Sequence, residues 1–184
     1  MRDEISKEFG CAAPEVLVEF WATIGAGYFG KNRDLYFFGD ENVSLPREGL
    51  LTWNKRPFFN EIAPPPSRGG PLFFAETCFG VQIGIQRIEG QLAVMFFDVD
   101  CYESYILAPD MDSLFSEALA DPTAITDPAR LQGVTAHLGK LPNGKHYAPI
   151  ISPLVGGSDD PQNFSVQDPV VHFTTAIAVR KSVT

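Results

Sequence analysis

Between Gln91 and Pro128 the chain contains no lysine or arginine. Clustered cationic side chains are what hold a phosphate backbone, so this stretch argues against a nucleic-acid surface, and the net charge of −9 with a pI near 4.7 extends the argument to the whole chain. Cysteine is scarce. Cys11, Cys78 and Cys101 are odd in number and far apart, which fits neither a disulfide framework nor a zinc spacing and predicts buried free thiols. No apolar run approaches the ~20 residues of a membrane span. The charged opening, Met1 to Glu8, lacks the apolar centre of a signal peptide, so a soluble cytoplasmic chain without membrane contact is expected.

Recognisable site chemistry is also missing. His137, His146 and His172 fall in different predicted elements and form no His-x-x-x-His pattern, so no metal is expected. Asp98 to Glu103 starts like a calcium loop, but it has Glu103 where that loop needs glycine and Pro109 where it needs its last carboxylate. Cys78 lies in an apolar, strand-like run, where an inert thiol is expected and pairing with His137 or His146 as nucleophile and base has no local support. Gly25, Gly27 and Gly30 match the G-x-G-x-x-G spacing of a pyrophosphate cradle. That motif needs a strand before it and a helix after it, and here the order is reversed. With no catalytic constellation and no cofactor motif, a non-enzymatic protein is expected.

What is present is a dense run of strand signals. Val81 to Gln86 alternates apolar with small or polar residues, which puts Val81, Ile83 and Ile85 on one buried face. Glu89-Gly90 supplies a tight hairpin turn. Leu92 to Phe97 is apolar on both alternations and predicts a central strand covered on both sides. With strands near Leu72–Cys78, Val81–Ile88 and Tyr102–Leu107, these make an antiparallel meander, followed by a helix carrying Met111, Leu114, Phe115, Ala118 and Leu119 on one stripe. Earlier in the chain, Pro14 opens an amphipathic helix through Val16, Leu17, Phe20, Trp21 and Ile24, and Leu35 to Phe38 reads as a strand. Further helices begin at Pro128 and Pro169, behind Asp127 and Asp168. The prolines from Tyr147 to Gly157 allow only an edge strand or a loop. Leu50, Leu51, Trp53, Phe58 and Phe59 are too apolar for a free linker. They lie against the core or form an aromatic patch for a partner. The 184 residues thus predict a single α+β domain, a largely antiparallel meander with helices packed against it.

The cation-free stretch holds Asp98, Asp100, Glu103, Asp110, Asp112, Glu117, Asp121 and Asp127. Asp110 and Asp112 have a local role at a helix N-terminus. As a group, Asp98, Asp100, Glu103, Asp110 and Asp112 are the candidate partner-binding residues, because a patch of one sign steers an oppositely charged partner. The alternative is a solvated face.

The order of these elements resembles the SUKH superfamily of Smi/Knr-like proteins. Pro14-Glu15-Val16-Leu17, Phe20-Trp21 and Ile24-Gly25-Ala26-Gly27 look like its proline-led helix ending in a glycine turn, and the later hairpin, strand and Met111 helix like its closing elements. Phe79-Gly80, Leu138 to Leu141, Tyr147, Pro149 and Gly156-Gly157 are similar to GAD-like immunity proteins encoded beside type VI secretion nucleases. The resemblance implies one Smi/Knr-like domain over residues 1–184. It also implies a binding protein that neutralises a polymorphic or contact-delivered toxin, with a basic protein toxin as partner. It carries over no individual binding residue. A regulatory scaffold, or a small enzyme or ligand-binding protein with a pocket beside Trp21, Trp53 and Tyr28, remain the alternatives.

Overall fold

The computed structural model describes residues 2–9, 13–41, 45–118, 120 and 125–184. Six strands form one antiparallel sheet in chain order: β1 (Gly27–Phe29), β2 (Leu35–Phe37), β3 (Leu72–Thr77), β4 (Gln82–Ile88), β5 (Gln91–Asp98) and β6 (Glu103–Ala108). The expected meander is present, with Ile85 opposite Val94 across the β4–β5 hairpin. Glu89 and Gly90 both take positive φ, 50° and 87°, as a two-residue turn matched to strand twist requires. The glycine-rich segment after the first amphipathic helix is not followed by a helix, as a pyrophosphate cradle requires. Its centre, Gly27–Phe29, runs as strand β1.

Helices cover both faces of this sheet. Alternation sends Leu35 and Phe37 to one side and Tyr36 to the other. On the Phe37 side, α2 (Glu15–Thr23) lays Phe20 against Phe37 at 4.5 Å between centroids, and Phe115 stacks on Phe20 at 4.9 Å. The opposite side is covered by α3 (Leu50–Asn54), a 3-10 turn over Pro57–Glu61 and α6 (Pro169–Val183). There Trp53 stacks on Phe38 at 5.4 Å and meets Phe173 edge-on at 5.6 Å. Leu50, Trp53 and Phe59 are buried, so the aromatic segment belongs to the core and not to an interface. A short α1 (Arg2–Phe9) adds Ile5 to the same core.

Two expectations need correction. The central strand, sealed on both faces, is β3, all six of whose residues are buried. By contrast β5 lies next to the edge, with Met95 and Phe96 half-buried. The reason is that β1 and β2 extend the sheet beyond β3, so its middle falls one hairpin earlier than the apolar run suggests. The helix expected from Met111 is a single turn, α4 (Met111–Ser113), that widens into a π turn over Leu114–Ala118. Asp110 caps it by accepting the Ser113 amide at 2.7 Å, and Met111 and Leu114 still reach the core. Leu119, Asp121 and Cys11 lie outside the described residues.

A smaller core sits beside the main one. Here α5 (Pro128–Leu138), capped by Asp127, packs on the two-stranded sheet of β7 (His146–Pro149) and β8 (Phe164–Gln167). Phe79, Leu131, Val134, Tyr147 and Phe164 fill it. The two cores meet at the β3–β4 turn, where Cys78 donates its amide to the Asp34 carbonyl (3.0 Å) and accepts the Tyr147 amide (2.9 Å). Asp168 caps α6 by accepting the Val170 amide at 3.0 Å. Among the described residues no helix is long and apolar enough to cross a membrane.

Candidate functional site

A continuous polar chain crosses the core behind the acidic stretch. Trp53 donates its indole N–H to Gln82 Oε1 (2.8 Å), and Gln82 donates to Glu76 Oε2 (3.0 Å). Glu76 forms an ion pair with Arg47, whose guanidinium lies over the Trp53 ring at 4.7 Å. Arg47 approaches His146 Nε2 at 3.2 Å, the His146 and His172 Nδ1 atoms are 3.2 Å apart, and His172 Nε2 lies 2.9 Å from Asp100 Oδ1. His146 Nε2 also lies 3.0 Å from Glu76 Oε1, so Arg47, which can only donate, and Glu76, which can only accept, compete for the same ring nitrogen. At the other end Asp100 accepts from His172 Nε2–H. Burial holds the His146 pKa well below its ordinary value, and the positive charge of Arg47 and the neighbouring His172 add to that effect. The Arg47 pKa falls to about 10, again mainly through burial.

Gly80 makes room for this chain. Its φ is +81°, and a Cβ there would stand 2.8 Å from His146 Nδ1 and 2.9 Å from His172 Cε1. The side chains of Arg47, Glu76, His146, His172 and Asp100 are at most 5% exposed, too little for a substrate to reach them. The two histidines therefore do come together, which separate sequence elements gave no means of seeing. They tie β3, β7, α6 and the loop carrying Asp100 to one another. His137 stays exposed on α5, apart from them. Burial pushes the Cys78 thiol up to about 12. Cys101 is also raised to about 12, by burial first and then by Asp98, Glu103 and Asp100, so neither carries the low pKa of a nucleophile. Among the described residues no group of three or more His, Cys, Asp or Glu is placed to hold a metal ion.

The five candidate partner-binding carboxylates divide. Asp100 is turned inward onto His172 and is not available to a partner. Asp98 is half-buried, its Oδ1 accepting the amides of Asp100 (2.8 Å) and Cys101 (3.4 Å), and burial followed by the nearby Asp100 raises its pKa. Asp110 is exposed but serves as the α4 cap, whose amide hydrogen bond from Ser113 lowers its pKa. Glu103 and Asp112 are exposed, Asp112 in the first turn of α4, where a carboxylate complements the helix N-terminus. Glu103 opens strand β6 and Asp112 lies beyond its end; β6 is an edge strand of the sheet, and its consecutive residues Tyr105 (47% exposed) and Ile106 (54%) are exposed on opposite faces. Tyr105 stacks on Phe96 at 4.5 Å, which fixes its ring at this surface. Sequence reasoning missed this apolar pair because an alternating strand beside an apolar one gives no sign of which is the edge. Of the three residues expected to border a pocket, Trp53 is core, and the Tyr28 hydroxyl accepts the Gly144 amide at 2.7 Å.

No protein-family model matches the chain, and no curated protein matches it. Among solved structures, Atu4351 from Agrobacterium tumefaciens is similar in fold, with a TM-score of 0.62 over 95% of this chain and 78% of that one at 16% identity. At such identity the likeness concerns the fold alone.

Proposed function

We propose that this chain is a non-enzymatic immunity protein that binds and neutralises a basic, contact-delivered toxin, with β6 and its acidic flanks as the docking edge. The observation that carries the reading is the open edge strand, with Tyr105 and Ile106 exposed between Glu103 on one side and Asp110 and Asp112 on the other, in a stretch without one cationic residue. An edge strand with exposed apolar side chains beside charge of one sign is a surface that a partner of opposite sign can select. Exposed edges are commonly guarded by lysine or proline, and strand β6 carries neither. A nuclease toxin offers the complementary surface, since it must hold a phosphodiester substrate with basic residues. The His146–His172 chain is sealed from solvent and is therefore not part of the docking surface.

The test uses the cognate toxin domain, once identified, immobilised, against wild type and the Glu103→Lys/Asp112→Lys double variant at low and moderate salt. A salt-sensitive association rate that falls about tenfold in the variant supports the reading. Equal rates at both salts, with the variant folded, place the interface elsewhere. Tyr105→Ala should instead speed dissociation, and an unchanged dissociation rate would remove β6 from the interface.

A further inference from the structure

A cavity of about 620 Å³ opens at the seam between the two cores, within the size range of small-molecule sites. One wall is aromatic, formed by Phe20, Phe29 and Phe37, whose centroids lie 4.5–5.7 Å apart. Pro128 and Leu131 of α5 form the facing wall. Asp34, just ahead of β2, is the one charged side chain among its described lining residues. Asp34 Oδ1 is sealed from water and has no hydrogen-bond partner. Burial raises the Asp34 pKa, and the backbone amides of Asn32 and Asp34 pull it the other way. Gly30 keeps the carboxyl in place, since a Cβ on it would collide with the Asp34 side chain.

These features select a ligand by charge and shape. The cavity's described lining residues offer a phosphate or carboxylate no cation to pair with, only neutral groups such as those of Asn32, Thr126 and Gln132. The phenylalanine faces carry the negative side of their quadrupoles and attract a cation, and a carboxylate at the wall adds to that attraction. The space is several times larger than a single lysine side chain, so the occupant must bring an apolar body of its own. We propose that this cavity binds a small hydrophobic amine, its ammonium group beside Asp34 and its apolar body between the phenylalanine wall and α5. The assignment is independent of toxin binding and needs no toxin to test.

Titration calorimetry on the full chain would compare octylamine, octanol, octanoate and N-acetyl-lysine amide. Octylamine should bind at least tenfold more tightly than each of the other three. Asp34→Asn should reduce octylamine to the affinity of octanol and leave octanol unchanged. Gln132→Trp, at an exposed position on the cavity lining, should weaken octylamine and octanol together. Absence of saturable octylamine binding at millimolar concentration overturns the proposal, as does equal affinity for octanol or octanoate. Unchanged octylamine binding in Gln132→Trp would put the ligand elsewhere. Equal affinity for the lysine amide would make the cavity a receptor for a partner's side chain and overturn the small-molecule assignment. Should Asp34→Asn unfold the chain, the ratio of octylamine to octanol on wild type still decides.

Discussion

Strands β3 and β6 belong to one sheet and each carries a carboxylate, yet the two carboxylates have opposite fates. Glu76, in β3, is 1% exposed and is held by Arg47 and Gln82. Glu103, in β6, faces water at an open edge. A charge in the middle of a sheet loses its hydration and must be compensated by named partners, so it is bound to the architecture. A charge at the edge keeps its water and is free to meet another molecule. The same residue type is thus structural in one strand and available for recognition three strands away.

The largest effect should come from breaking the inner partnership. Arg47→Met or Glu76→Ala leaves one buried charge without its partner, and urea unfolding should show a loss of ~3–5 kcal/mol. Replacing both at once with well-packed apolar residues should cost less than either single change, since neither charge is then stranded.

Acid should sharpen the comparison next. The folded-state pKa of His146 lies well below the ordinary 6.5, so between those two values the unfolded chain takes up a proton that the folded chain refuses. Unfolding then binds protons, and stability falls as pH drops. Stability should be level above about pH 7 and decline below about 6.5 by up to ~1.4 kcal/mol per pH unit, a slope that His146→Gln removes. A flat urea midpoint from pH 8 to 5 in wild type would mean that His146 titrates normally.

At the outer strand stability should stay level and binding should change. The Glu103→Lys/Asp112→Lys variant should unfold at the wild-type urea midpoint while its toxin association slows about tenfold. Smallest of all should be the effect of thiol chemistry. With Cys78 and Cys101 both raised to about 12, less than about one thiol in a thousand is ionised at pH 8, and a thiol reagent should modify either only slowly unless the chain is unfolded.

The meander was legible because strand periodicity is local, and Val81, Ile83 and Ile85 alternate whatever lies above them. The caps at Asp127 and Asp168 were legible for the same reason, since each acts within three residues. Arg47, His146 and His172 were not, because their contacts join positions 99 and 26 residues apart and no sequence spacing encodes them. Glu76 and Gln82 gave a faint signal as polar residues in a strand run otherwise fit for burial, and that is where a compensating partner should have been sought. The acidic stretch was read correctly as cation-free, but charge alone could not tell Asp100, folded inward, from Glu103. The cavity escaped notice because Phe20, Phe29 and Asp34 lie in three separate elements.

Cys78 binds Asp34 with its amide and Tyr147 with its carbonyl, so one residue splices the six-stranded sheet to the two-stranded one. Neither sheet can peel away without exposing a backbone group that the other satisfies, and the buried histidines fasten the same seam a few ångströms off. Local opening is therefore coupled across the seam, and the two sheets form one cooperative unit whose slowest-exchanging amides should lie on both sides of that turn.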